Sequence, residues 1–145
     1  WACRTETESS RDKTAEVILL DSIGELRSAY PLAEIVFVGG SLIPHGGQSI
    51  FEPAASGRAI ITGPSTANFA DAITEFLSKE ALVQLDKTDE ARVVAMLTDA
   101  FRDLLKNDEK RKALGSNALS VMNNNRGATD RTIEYLTPLI APGPH

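Results

Sequence analysis

The sequence is short of nearly everything that would tie it to a disulfide, a metal or a membrane. A single cysteine, Cys3, rules out an internal disulfide and a cysteine-built zinc site. The two histidines, His45 and His145, lie too far apart in sequence to suggest a metal cluster. With so little cysteine chemistry, a reducing, cytosolic setting is the default expectation. No apolar run approaches the roughly 18 residues of a membrane span, so a soluble chain is expected. The leading stretch Trp1 to Lys13 is polar, lacks an initiator Met and has no apolar core of the signal-peptide kind. It is expected to be irregular through residue 14 and to mark the chain as a piece of something longer. Positive charge is scarce too: 15 basic residues face 20 acidic ones, a formal charge of −5, which argues against a nucleic-acid partner. A small anion is not excluded, because helix N-termini and backbone amides can hold one without net charge.

What is present fits one globular domain spanning 1–145. Four short apolar runs read as strands: Val17 to Leu20, Ile35 to Val38, Ala59 to Thr62 and Leu82 to Leu85. The first is apolar enough to be buried on both faces. Helical stretches are expected at Ile23 to Tyr30, Gln48 to Ser56 and Asn68 to Lys79. Past the last strand the chain turns wholly helical. One helix is capped by Thr88, a second runs from Asp108 and a third from Gly127, with Asn123-Asn124-Asn125 as the break before it and a tail over 140–145. Strands alternating with amphipathic helices predict an α/β fold, a parallel sheet of about four strands with a helical C-terminal block.

Ligands of open parallel sheets bind at the carboxyl ends of the strands. Three loops there carry unusual residues: Asp21 to Leu26, Gly39 to Ala54, and Gly63 to Phe69. Gly39 and Gly40 allow a sharp turn and close approach to a ligand. Gly46 and Gly47 precede an expected helix, where free N–H groups can take a phosphate. Glu52, about one turn inside that helix, can accept two hydrogen bonds from the adjacent hydroxyls of a ribose. Ordinary turn chemistry accounts for the same residues equally well on spacing alone. Glu52 also serves as a first-turn acid, Glu25 as a solvated helix acid, Asn68 as an N-cap and His45 as an exposed loop residue. Arg126 and Arg131 fit surface helix positions.

Taken in order, these segments carry a resemblance. Asp21-Ser22-Ile23-Gly24-Glu25-Leu26 resembles Gly-Asp-Thr-Met-Gly-Glu-Leu of the bacterial 3-deoxy-D-manno-octulosonic acid (Kdo) transferases. Phe37-Val38-Gly39-Gly40-Ser41-Leu42 is similar to their Phe-Val-Gly-Gly-Ser-Leu. Gly46-Gly47-Gln48-Ser49-Ile50-Phe51-Glu52-Pro53-Ala54 resembles Gly-Gly-His-Asn-Pro-Leu-Glu-Pro-Ala. Gly63-Pro64 with Asn68-Phe69 resembles Gly-Pro-His-x-x-Asn-Phe, and Asn125 to Ala128 resembles Asn-x-Gly-Ala. The similarity runs from about Val17 to Leu136.

The resemblance implies a partial Rossmann-like domain, the C-terminal half of a GT-B glycosyltransferase. That half binds CMP-Kdo for transfer to lipid A precursor in lipopolysaccharide biosynthesis, at the cytoplasmic face of the inner membrane. It implies no metal and no cofactor, and a general base, membrane anchor and acceptor site in the N-terminal half. By matching positions, Glu52 would hold the ribose. Ser22, Gly24 and Glu25 would line the nucleotide pocket, Gly40, Ser41, Gly46 and Gly47 would approach the phosphate, and Asn68 would support the cleft. Gln48 and Ser49 replace the family's His-Asn and Ser65 its later His. Each replacement hydrogen-bonds but cannot become cationic, which leaves another nucleotide sugar, or a non-catalytic association module, as alternatives. The family pattern also has strands and a Pro-Arg-His segment upstream of Val17 that these residues do not contain. The strand Ile35 to Val38 would then lack a neighbour, so an oligomer, a strand exchange or a rearranged sheet is expected.

Overall fold

The computed structural model describes residues 1–5, 15–125 and 127–140. Arg126 therefore lies outside the described residues, as does His145. Three strands form one parallel sheet in the order β3-β4-β5: β3 (Ile35–Val38), β4 (Ala59–Thr62) and β5 (Val83–Gln84). Registers run Ile35 to Ala59 and Val38 to Thr62, then Ile61 to Val83. Every residue of the central β4 is buried, as its unbroken apolar run requires.

Helices cover both faces. On one, Ile60 packs with Ile50, with Ala54 of α2 (Phe51–Ala55), with Ile73 and Phe76 of α3 (Ala70–Ser78), and with Ala118 and Val121 of α5 (Asp108–Asn125). On the other, Ala59 and Ile61 pack with Leu85, with Leu104 of α4 (Glu90–Lys106) and with Leu114 of α5. Side chains alternate across a strand, so one four-residue run feeds two cores. The last helix, α6 (Ala128–Ile140), completes the helical C-terminal block.

The expected strands are all found, but in two sheets rather than one. The first, β2 (Ile18–Leu19), pairs in parallel with β1 (Ala2–Cys3), a strand inside a segment expected to be irregular. The burial expected for β2 is not found: Ile18 is 63% exposed and Leu19 53%. Among the described residues its apolar run has no layer over it, because β1 is two residues long and α1 (Leu26–Ala29) contributes no buried residue. On β3 the edge away from β4 is unpaired among the described residues.

Two helix starts shift as well. The α2 helix begins at Phe51 rather than Gln48, because the glycine loop continues through Ile50. Asp89, not Thr88, caps α4: its carboxylate accepts the Arg92 N–H at 2.9 Å. Either residue type serves an N-cap, and one residue of register decides which.

Candidate functional site

The loops after β3 and β4 are built as one piece. Ser41 is fully buried. Its hydroxyl donates to the Val38 carbonyl and accepts the Gly63 N–H at 2.8 Å, while its carbonyl accepts the Ser65 N–H at 2.8 Å. Contact is so close that a Cβ on Gly63 would sit 2.3 Å from the Ser41 oxygen. A polar side chain this deep is stable only because each hydrogen-bonding role is filled.

Further out, the Gly46 N–H donates to Ser65 Oγ at 3.3 Å, and its carbonyl accepts the Asn68 N–H at 3.2 Å. Asn68 Nδ2 donates to the His45 carbonyl at 3.4 Å. Gly47 N–H donates to the Gly40 carbonyl at 3.2 Å. Both glycines adopt positive φ, 85° and 76°, where a side chain is strained. Asn68 is thus the strut of the glycine loop and not the start of α3, which a 3-10 turn at Ala67–Phe69 delays to Ala70.

This geometry corrects the expectation that Gly46 and Gly47 offer free N–H groups next to a helix. Both are spent inside the loop, and the helix starts four residues beyond Gly47 at Phe51. The Gln48, Ser49 and Ile50 amides, which lead into α2, have no acceptor among the described residues, and neither do those of Leu42 and Ile43. Ser49 Oγ accepts the Phe51 N–H at 3.3 Å, and exposed Gln48 packs beside Gly40. Glu52 is exposed in the first turn of α2. Phe51 meets Phe69 edge-to-face, ring centroids 6.0 Å apart, which locks this turn to the β4 loop.

Two contributors carried no readable sequence signal. Burial first and the Glu52 charge second raise the Tyr30 phenol above its ordinary 10.0, which couples the 3-10 turn Tyr30–Leu32 electrostatically to Glu52. Gln84 of β5 donates to Thr66 Oγ1 at 3.1 Å and braces the β4 loop from the third strand. Each is a lone residue outside any glycine-rich stretch, so spacing could not find it.

The first loop is a separate construction. Glu25 accepts from Ser22 Oγ and pairs with Arg4 at 3.2 Å, both partners well exposed. Asp21 accepts the Thr5 N–H at 3.0 Å and the Thr5 hydroxyl, which holds its carboxyl below the ordinary 3.8. Gly24 turns the chain at φ 90°. These bonds fix the loop to β1. No hydrogen bond or ion pair joins Ser22, Gly24 or Glu25 to the Ser41–Glu52 or Gly63–Phe69 loops among the described residues. No group of three or more His, Cys, Asp or Glu residues capable of holding a metal ion occurs among the described residues.

No family model matches the chain. The 3-deoxy-D-manno-octulosonic acid transferase of Haemophilus influenzae is 35% identical over 137 residues, covering 94% of this chain and 31% of that protein. The Bordetella pertussis transferase is 33% identical over 83% of this chain and 27% of its own length. Nearly the whole chain is thus similar to part of the Kdo transferases. The C-terminal CMP-Kdo binding domain of WaaA from Acinetobacter baumannii shares its architecture, with a TM-score of 0.66 and 31% identity over 74% of this chain and 53% of that one. The chain spans about a third of the length of these Kdo transferase relatives. Its fold is that of the C-terminal part of a GT-B enzyme: parallel strands between helices, with a helical end.

Proposed function

We propose that this chain is the donor-binding part of a glycosyltransferase that moves Kdo from CMP-Kdo to a lipid A precursor in lipopolysaccharide biosynthesis. The observation that carries the proposal is the likeness to the CMP-Kdo binding domain of WaaA, combined with two strand-end loops stitched into one rigid rim below Glu52. Glu52 accepts the ribose hydroxyls. The Gln48, Ser49 and Ile50 amides and the Gln48 and Ser49 side chains face the phosphate. Gly40, Ser41, Gly46, Gly47 and Asn68 shape the loop that presents them. Ser22, Gly24 and Glu25 close the nucleotide pocket from the first loop, with Glu25 exchanging its exposed Arg4 partner for ligand.

In the reaction the acceptor hydroxyl attacks the anomeric carbon and CMP leaves. Amides fixed in advance beside the leaving phosphate stabilise the charge that gathers there. The general base and the acceptor site belong to the N-terminal half of the transferase. This chemistry calls for no metal or other cofactor. The transferase works at the cytoplasmic face of the inner membrane; no helix among the described residues is long and apolar enough to cross it. The unpaired edge of β3 is an oligomer or strand-exchange surface, and light scattering of the chain in solution tests for a species larger than a monomer.

Donor choice is tested by comparing CMP, UMP and GMP at millimolar concentration in protein-observed NMR. CMP should move the amide signals from Gln48 to Glu52 at lower concentration than the other two. Equal response to all three, or a preference for GMP or UMP, overturns the donor assignment in favour of another nucleotide sugar.

A further inference from the structure

A cavity of about 630 Å³ opens beside the glycine loop, where the segments following β3, β4 and β5 converge. Its volume falls within the roughly 300–1,000 Å³ of small-molecule sites. Ile43, Pro44 and Pro64 give it an apolar wall. One charged residue lines it, Lys87, with Thr88 next to it. No carboxylate takes part in the lining, so an anion entering meets one ammonium and no like charge.

The cavity shares a wall with the proposed nucleotide rim. Ser65, which lines it, accepts the Gly46 N–H, and Thr66, which also lines it, lies against Gly47 and is held by Gln84. Glu52 and Gln48 lie outside it. The space therefore adjoins the loop that carries Gly46 and Gly47.

The transferred sugar of this family is an acid, as its name states, and carries a carboxylate at neutral pH. Its deoxy carbon adds an apolar surface. Resting on the donor-binding proposal above, we infer that this cavity is the subsite for the anionic sugar of the donor, and that Lys87 pairs with its carboxylate and sets specificity for an acidic sugar. The apolar wall faces the deoxy carbon, and Thr88 hydrogen-bonds a hydroxyl.

The test separates the two proposals by titrating the isotope-labelled chain with CMP and with free Kdo in turn, as wild type, Lys87→Met and Glu52→Gln. Lys87 is exposed, so its replacement leaves the core intact. Kdo should move the amides of Ile43, Ser65, Lys87 and Thr88. Lys87→Met should weaken Kdo about tenfold, the loss of a charge-assisted contact, and leave CMP unchanged, while Glu52→Gln does the reverse. The Kdo methyl ester, uncharged, should behave toward wild type as Kdo does toward Lys87→Met. Kdo leaving these signals unmoved while CMP still binds overturns the subsite and spares the nucleotide reading, as does Lys87→Met weakening CMP and Kdo alike. Kdo binding with CMP silent keeps the subsite and overturns the nucleotide assignment.

Discussion

The buried Ser41 hydroxyl accepts the Gly63 N–H at 2.8 Å, one of the bonds that fasten the loop after β3 to the loop after β4. Removing it strands a buried donor. Ser41→Ala should cost roughly 1–3 kcal/mol of stability. Gly63→Ala should cost at least as much, because its Cβ would lie 2.3 Å from the Ser41 carbonyl oxygen, a backbone atom that cannot move aside. Urea unfolding of both variants measures this.

A methyl group at Gly46 meets two obstacles. The backbone there is at φ 85°, and a Cβ would fall 2.5 Å from Asn68 Nδ2. Gly46→Ala should lose about 1–2 kcal/mol from the backbone alone and more from the overlap. Adding Asn68→Ala should restore the second part and not the first. A double-mutant cycle on unfolding free energy separates them.

Helix propensity and packing make opposite predictions at Gly115. Alanine in a helix interior is favoured over glycine by about 1 kcal/mol. A Cβ at Gly115, however, would stand 2.2 Å from the Gly57 carbonyl oxygen, where α5 presses on the turn after α2. Packing wins: Gly115→Ala should destabilise, by roughly 1–3 kcal/mol, and a higher melting temperature in the variant would contradict this.

Tyr30 should ionise above 10.0 in the folded chain, with burial the larger cause and Glu52 the second. Folding therefore favours the protonated phenol. The stability it contributes is full below the unfolded value and declines as pH rises through that value toward the folded one. Glu52→Gln should lower the midpoint but leave it above 10.0. Absorbance titration in a Tyr135→Phe background isolates the signal.

Much of this was legible because apolar runs and glycine pairs are local signals. The β3, β4 and β5 positions follow from Ile35–Val38, Ala59–Thr62 and Leu82–Leu85 with trimming at the ends. What sequence could not supply was long-range. The run at β2 is apolar enough for a buried strand, yet Ile18 and Leu19 are exposed because burial depends on a covering layer, not on the run itself. Gly46 and Gly47 read as phosphate donors until Ser65 and Gly40, distant or opposite in the loop, are seen to take their N–H groups. Tyr30 feels the Glu52 charge only through tertiary structure.

The central claim is that Glu52 holds the ribose of a cytidine nucleotide at this rim, and CMP affinity of wild type against Glu52→Ala, followed at the Gln48 to Glu52 amide signals, tests it most directly. The account predicts a loss of roughly 1–3 kcal/mol, about fivefold to 150-fold in affinity, with the fold intact. CMP binding unchanged by the substitution, or CMP leaving those signals unmoved in wild type at millimolar concentration, would contradict it.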